Sequence, residues 1–169
     1  INLPEKVKDA LEEEKARIKE VFWNLDIYNL PLKWVERENL HITIEFLGNL
    51  NDKELLELIK KWEKETENLF PFWVNLDKIC LAPPGKKNPR MIWVTGPEIK
   101  PLKLLPHITL ARLKQWQLKN IEIENLKQIE KEIKLSFLVE SIEIMESHLK
   151  RKGPEYFILK SFNLKKNNA

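Results

Sequence analysis

The sequence predicts an α+β fold in which two antiparallel sheets line a central cleft and helices lie on the outside. Several segments alternate apolar and polar residues, as strands do, and others have helical periodicity, without regular β-α-β alternation. In addition, the triplet His-Ile-Thr occurs twice, at 41–43 and 107–109. Such repetition indicates a duplicated unit. We therefore expect one bilobal domain over residues 1–169, with its lobes related by a pseudo-twofold axis.

Helical signals lie mainly in the first half of the chain. Pro4 starts a pattern in which apolar residues recur every three, four or seven positions, which predicts a helix over about Pro4–Asn24. Asn51 or Asp52 can cap a second helix. Its predicted buried stripe consists of Leu55, Ile59, Trp62, Thr66 and Leu69. A third, shorter helix is expected around 125–131.

Strand signals occupy most of the remaining chain. Residues 39–47 alternate, so Leu40, Ile42, Ile44 and Phe46 are expected to face the core. The other predicted strands are 72–81, 90–96, 106–113, 140–149 and 156–164. A turn at 82–89 joins two of them, and Gly153 and Pro154 mark a hairpin turn between the last two. Mostly antiparallel pairing follows from these short connections.

If the two lobes are duplicates, the segment before the second triplet should be longer than the sequence shows. A long helix precedes His41, whereas the segment before His107 is short and is interrupted by Pro97, Pro101 and Pro106. Such a segment cannot hold a comparable helix together with its connections. We therefore expect that the sequence lacks an N-terminal strand before Ile1 and residues within 99–105.

Composition indicates a globular intracellular protein. Apolar residues make up 43% of the chain, and 29 basic against 26 acidic residues give a net charge of +3. That balance permits an anionic ligand but lacks the strongly basic character of a duplex-binding protein. No apolar run approaches the roughly 20 residues that span a bilayer, and no signal-peptide pattern is visible. Cys80 is the single cysteine, so we expect a buried structural thiol in a protein of the reducing cytoplasm. We also expect a monomer.

The two triplets have the residues needed for acid-base chemistry on a phosphate. Residues i and i+2 of a strand point to the same face, so His41 projects with Thr43, and His107 with Thr109. Imidazole titrates near neutral pH, which lets one histidine act as a base and the other as an acid. The hydroxyl groups can hold phosphate oxygens. The pattern favours phosphodiester cleavage that requires no metal or other cofactor.

A metal site is the main competing interpretation of the same residues. His41, Glu45 and His107 could in principle form a set of two histidines and one carboxylate. However, the second triplet offers Ala111 at the position that matches Glu45. We therefore predict no metal site.

The motifs resemble those of a known family. "WVERENLHITIEFLGNL" resembles its first motif, "APPGKKNPRMIWV" its central hairpin, "PHITLAR" its second motif and "MESHLKRKGPEYFILKSFNL" its closing hairpin. The family is the two-histidine (2H) phosphoesterase superfamily, and within it the LigT-like RNA 2′,3′-cyclic phosphodiesterases, also called 2′-5′ RNA ligases. The resemblance covers most of the chain in the same order.

The resemblance implies an activity and a role for each motif residue. It implies metal-independent hydrolysis of RNA 2′,3′-cyclic phosphate ends to 2′-phosphate, with possible reverse 2′-5′ ligation. His41 would be the general acid and His107 the general base, while Thr43 and Thr109 would bind phosphate oxygens. Arg112 matches a position that contacts phosphate, although strand alternation points it away from His107. The implied partners are RNA with a cyclic phosphate end or a nucleoside cyclic phosphate.

Other candidate substrate-binding residues lie outside the motifs. Lys150 and Arg151 could guide an RNA backbone, and Tyr28 and Tyr156 could stack on bases. Trp34 and Trp93 are expected in the core, and His148 is expected to have an ordinary surface or packing role. Two alternatives stay open: the same chemistry on another small cyclic phosphate or a 2′-5′ oligonucleotide, and a non-catalytic binder of RNA ends.

Overall fold

The computed structural model describes residues 1–25, 32–86, 88–113, 122–151 and 153–165. Its helices are α1 (Glu5–Asn24), α2 (Asp52–Thr66) and α3 (Ile123–Lys127), with short 3-10 helices at Arg37–Asn39 and Lys100–Leu102. Its strands are β1 (Lys33–Trp34), β2 (Phe72–Ala82), β3 (Met91–Thr95), β4 (His107–Arg112), β5 (Lys131–Val139), β6 (Ser141–Leu149) and β7 (Pro154–Asn163). None of the described helices is long and apolar enough to cross a membrane.

The strands form two sheets. One has five strands in the order β1-β4-β3-β2-β5, and the other is the β6-β7 hairpin. The pairing is antiparallel throughout the described strands. This confirms the predicted α+β fold with two antiparallel sheets, and it confirms the hairpin at Gly153 and Pro154.

Helix α1 forms because its apolar residues repeat on one face. Val7, Leu11, Ile18 and Phe22 are buried in the same cluster as the inward residues of β3 and β4. Lys15 is also buried, and its Nζ donates to the carbonyl of Val35 at 2.5 Å. The helix thereby holds the chain segment that leads into His41.

Helix α2 begins with a capping box. The Asn51 side chain accepts from the backbone N–H of Glu54 at 3.0 Å, and the Glu54 carboxylate accepts from the backbone N–H of Asn51 at 2.8 Å. The predicted stripe is the least exposed side of this helix, with Thr66 buried and its apolar members half-buried. The start and the orientation of α2 follow the sequence prediction.

Asn51→Ala is expected to lower the free energy of unfolding by about 1 kcal/mol, because N-terminal N–H groups of the helix lose their acceptor. Denaturant titration of the variant and of the unchanged protein measures this difference. Asn51→Asp is the matched control, since it keeps an acceptor oxygen at the cap. Equal midpoints and slopes for Asn51→Ala and the unchanged protein would contradict the expectation.

The segment around the first triplet differs from the prediction. Residues 39–47 do not form a full strand. Within the described residues, this segment pairs with another strand-like segment only through a β-bridge between His41 and Asn2, next to the hydrogen bond from Ile42 N–H to the Ile1 carbonyl. Leu40 and Ile42 are buried as expected. Phe46, however, is 86% exposed, so its placement in the core was wrong.

Two further segments differ in extent. Helix α3 ends at Lys127, and β5 occupies Lys131–Val139, where the sequence analysis placed no strand. Pairing with β2 over Phe72–Ile79 stabilises β5. Between β3 and β4, the chain closes as a turn in which Ile99 N–H donates to the Leu104 carbonyl at 2.7 Å. The expectation that the sequence lacks residues within 99–105 stays a prediction, and sequencing of the gene tests it.

Cys80 is buried in β2 and its thiol is free. Burial raises the pKa of this thiol, so it stays protonated and unreactive near neutral pH. The prediction of a buried structural thiol is consistent with this placement.

Candidate active site

A cleft of about 520 Å³ lies between the two sheets. The five-stranded sheet contributes Met91, Trp93, His107, Thr109 and Arg112, and the hairpin contributes Ser147, Leu149 and Tyr156. The segment around the first triplet contributes Asn39, His41, Thr43 and Phe46. Both histidine-threonine pairs therefore line one cleft, as the strand alternation of the sequence predicted.

The backbone fixes the orientation of the His41 ring. Its Nδ1 lies 2.7 Å from the carbonyl oxygen of Asn39, so Nδ1 carries a proton and donates it. Its Nε2 lies 3.0 Å from Oγ1 of Thr43. In the neutral ring Nε2 accepts from this hydroxyl, and in the protonated ring Nε2–H is a donor. His41 thus presents Nε2 as the atom that exchanges a proton in the cleft.

His107 has a matching environment. The backbone of Leu105, two residues before it, favours the charged form of its ring and so acts to raise its pKa, as the Asn39 carbonyl does for His41. Trp93 stacks on His107 with ring centroids 4.2 Å apart. Tyr156 packs edge-on against His41 at 4.9 Å. Each imidazole therefore follows a backbone group at i−2 that favours its charged form, precedes a threonine at i+2 and packs against an aromatic ring.

Both imidazoles are neutral at pH 7 in the free protein. Burial lowers the pKa of His41 below its usual 6.5, the Asn39 carbonyl opposes this, and the nearby positive charge of Arg112 adds a smaller lowering. Burial also lowers the pKa of His107, against the opposing effect of the Leu105 backbone. An anion bound between the rings would raise both pKa values. The site is thus arranged to take up a proton when it binds an anion.

A β-bulge turns Arg112 into the cleft. On β4, Ile108 is buried and Thr109 faces the cleft, but Leu110 and Ala111 are both buried. The register between β3 and β4 shifts at this point, from Trp93 opposite Thr109 to Ile92 opposite Ala111. The extra residue reverses the alternation. Arg112 is therefore exposed on the same side as His107, although simple alternation points it away.

Of the other predicted substrate-binding residues, Tyr156 lines the cleft, whereas Lys150 and Arg151 do not. Lys150 and Arg151 are exposed in the turn between β6 and β7 and are not among the residues that line the cleft, and Lys150 Nζ lies 3.8 Å from the Glu155 carboxylate. Tyr28 lies outside the described residues. Glu45 is exposed and does not line the cleft, so the described structure does not assemble the competing set of two histidines and Glu45.

Metal-ligating side chains do not cluster elsewhere in the described part of the chain. There, no group of three or more histidine, cysteine or acidic side chains could hold a metal ion. His148 pairs with Glu146 at 3.1 Å and is half-exposed, away from the cleft. Its expected surface role agrees with this placement.

Sequence reasoning missed several residues of the cleft. Trp93 was expected in the core, yet it stacks on His107. Phe46 was also expected in the core, yet it lines the cleft. Asn39 joins two parts of the site, because its Nδ2 donates to the Pro154 carbonyl of the hairpin at 2.8 Å while its own carbonyl holds His41. The spacing of Asn39 two residues before His41 was visible in the sequence, but the partners were not.

The fold and this site define a two-histidine phosphoesterase. Two antiparallel sheets present two imidazole-hydroxyl pairs to one cleft, with an arginine on the same side. The family model described as LigT like Phosphoesterase matches residues 1–93, more than half of the chain. The protein belongs to the LigT-like phosphoesterase family.

Individual relatives agree with this assignment. A protein of Methanocaldococcus jannaschii named RNA 2′,3′-cyclic phosphodiesterase is 27% identical and covers 96% of this chain and 96% of its own length. A protein of Aquifex aeolicus with the same name is 25% identical, covering 78% of this chain and 81% of its own length. The crystal structure of TT0787 of Thermus thermophilus has a TM-score of 0.77 at 23% identity and covers 98% of this chain and 96% of that one. The last similarity confirms the fold.

Proposed function

We propose that the protein hydrolyses the 2′,3′-cyclic phosphate at the end of an RNA and leaves a 2′-phosphate. The observation that carries this proposal is that His41 with Thr43 and His107 with Thr109 line the same cleft as Arg112. The names of the relatives from Methanocaldococcus jannaschii and Aquifex aeolicus support the choice of substrate.

The reaction is one displacement at phosphorus. His107, neutral, takes a proton from water as the water oxygen bonds to phosphorus, and the bond from phosphorus to the 3′ oxygen breaks. His41, protonated, gives its proton to that 3′ oxygen. The products are a 2′-phosphate and a free 3′ hydroxyl. His107 then gives its proton to solvent, and His41 takes up a proton again when the next substrate binds, because the bound anion raises its pKa.

The remaining groups stabilise negative charge on the non-bridging oxygens. The Thr43 and Thr109 hydroxyls donate to these oxygens, and Arg112 adds a positive charge on the same side of the cleft. The hydroxyl of Thr43, which bonds to His41 in the free protein, must turn to the phosphate when substrate binds. The carbonyl of Asn39 keeps His41 Nδ1 protonated, so Nε2 delivers the proton.

An exposed aromatic side chain offers a place for the terminal base. Phe46 lines the cleft and is 86% exposed, so the face of its ring is available to stack on a nucleobase. Stacking of this kind accepts any base. We therefore expect weak base preference.

The same residues can join two RNA ends when a 5′ hydroxyl takes the place of water. His107 then takes the proton of that hydroxyl as its oxygen bonds to phosphorus, and His41 protonates the departing 3′ oxygen, which leaves a 2′-5′ bond. Other small cyclic phosphates and 2′-5′ oligonucleotides present the same reacting groups and are the alternative substrates.

The test is incubation with a short RNA that ends in a 2′,3′-cyclic phosphate, with and without EDTA. We expect a 2′-phosphate product at equal rates in both samples, since the proton transfers are assigned to side chains of the protein. A 3′-phosphate product, or a rate that EDTA abolishes, would contradict the proposal. Tight stoichiometric binding without turnover would assign the protein to the non-catalytic binders of RNA ends.

The plot of kcat/KM against pH is expected to be bell-shaped with its maximum below pH 6.5. This plot reports the free protein, in which burial lowers the pKa of both His41 and His107 below 6.5, and the maximum lies midway between the two pKa values. The curve for kcat should lie at higher pH, because the bound phosphate raises both pKa values. Initial rates between about pH 4.5 and 9, taken at low and saturating substrate, measure both curves. A kcat/KM maximum above pH 7 would contradict the assignment.

A further inference from the structure

Lys33 lies directly beside Arg112 on the cleft side of the five-stranded sheet. The two residues are Cα partners in the antiparallel pairing of β1 with β4. Side chains of such partners point to the same face. Arg112 faces the cleft, so Lys33 faces it too, and both side chains are exposed and line the cleft.

Lys33 and Arg112 form a pair of cations with no acidic partner among the described residues. No salt bridge of the described residues involves Lys33 or Arg112, and Arg112 donates a hydrogen bond to Met91 Sδ at 3.9 Å. Glu36 also lines the cleft rim but makes no ion pair with either residue. Like charges directly opposite each other destabilise a strand pair. An anion that lies between or above the two side chains would relieve this repulsion.

Lys33 is one strand further from the reacting groups than Arg112. Along the cleft face of β4, His107 comes first, Thr109 second and Arg112 third, and β1 is the edge strand beyond Arg112. The proposed reaction uses His107, Thr109 and Arg112 at one phosphate. Lys33 therefore extends the row of phosphate-binding groups toward the sheet edge, away from the reacting centre.

We propose that Lys33 binds a second phosphate group of the substrate, on the 5′ side of the nucleoside that carries the cyclic phosphate. This inference rests on the proposed function and adds which part of the substrate the protein binds besides the cyclic phosphate. The site then distinguishes an RNA end from a bare nucleoside cyclic phosphate, because only the former has a phosphate at that place. The chemistry is shared by an internucleotide phosphodiester and a terminal 5′-phosphate.

Four substrates distinguish binding of an internucleotide phosphodiester from binding of a terminal 5′-phosphate. They are adenosine 2′,3′-cyclic phosphate, the same compound with a 5′-phosphate, the dinucleotide with a cyclic phosphate end, and that dinucleotide with a neutral methylphosphonate linkage. We expect the charged dinucleotide to have a kcat/KM about tenfold above the bare nucleoside, the size of one charge-assisted hydrogen bond. The neutral dinucleotide should lose this gain. A gain for the 5′-phosphate compound identifies any 5′ phosphate as sufficient, and its absence identifies the phosphodiester.

Lys33→Gln is expected to reduce the ratio of kcat/KM between the charged dinucleotide and the bare nucleoside to about one, and Lys33→Arg is expected to keep it. Because the readout is a ratio, a general loss of folded protein does not imitate the effect. The logarithm of kcat/KM for the dinucleotide should also fall less steeply with the logarithm of salt concentration, by about 0.7 for one lost phosphate contact with a single strand. Lys53→Gln is the matched control, since Lys53 is an exposed lysine of α2 away from the cleft.

Three results would overturn the inference: no gain for either phosphate-bearing substrate, a gain that the neutral dinucleotide keeps, or a ratio that Lys33→Gln leaves unchanged. Failure of the proposed function has a different signature, which is that none of the four compounds is hydrolysed. Hydrolysis of the bare nucleoside compound with no effect of Lys33→Gln on the ratio rejects the role of Lys33 alone.

Discussion

His41→Ala and His107→Ala are each expected to lower kcat by about 10²- to 10⁴-fold, the usual contribution of one general acid or base. Single-turnover rates on a cyclic phosphate substrate measure the effect. The double variant should lose far less than the product of the two single losses, since the residues act as a unit.

His148→Ala is the matched control for the histidine variants. His148 is the third histidine of the chain, it is half-exposed on β6, and it pairs with Glu146 outside the cleft. Its replacement should leave kcat within about twofold of the unchanged protein, as is usual for surface substitutions. Full activity of either His41→Ala or His107→Ala would reject the mechanism.

The allocation of acid and base has its own test. A substrate with sulfur in place of the 3′ leaving oxygen needs little protonation as it departs, so it removes the need for a general acid. His41→Ala should recover most of its lost rate on this substrate, while His107→Ala should not. Recovery of His107→Ala instead would exchange the two roles and leave the pair of catalytic histidines intact.

Thr43→Val and Thr109→Val are expected to lower kcat by about 10²- to 10³-fold each, the range observed when one donor to a developing oxyanion is removed. Valine has nearly the shape of threonine, so the loss reports the hydroxyl. Because these hydrogen bonds strengthen as charge develops in the transition state, kcat should fall more than KM rises. Steady-state kinetics on the same substrate separate the two constants.

Thr66→Val serves as the control for the threonine variants. Thr66 is buried in α2, and its hydroxyl donates to the Trp62 carbonyl at 2.7 Å, far from the cleft-lining residues. This variant should lose some stability and keep kcat. A rise in KM with unchanged kcat for Thr43→Val and Thr109→Val would show that the hydroxyls bind the substrate and the transition state equally.

Helices α1 and α2 could be predicted closely because their signals are local. The apolar period of α1 and the Asn51 cap of α2 depend on residues within a few turns of each other. Strand β5 was missed although it alternates, because its partner β2 lies about sixty positions earlier and no local turn signal links the two. Pairing between distant segments decided where helix α3 ends.

The site was predicted in part for the same reason. His41, Thr43, His107 and Thr109 were found because repetition and the two-residue period of an extended chain are properties of the sequence. Arg112 was placed on the wrong face by alternation, and a bulge between β3 and β4 corrects this. Phe46 was assigned to the core by the same alternation, although its segment has no strand partner beyond Asn2 in the described chain.

By itself, the sequence determined the α+β class, the two histidine-threonine pairs and the chemistry that they can perform, since these follow from residue identity and local period. Only the tertiary structure decided that Tyr156, Trp93 and Asn39 surround the histidines, that Arg112 turns into the cleft, and that Lys33 lies beside it. The physical reason is that strand register and bulges are set by packing between segments far apart in the chain. A single-residue change of register moves every side chain of a strand to the opposite face.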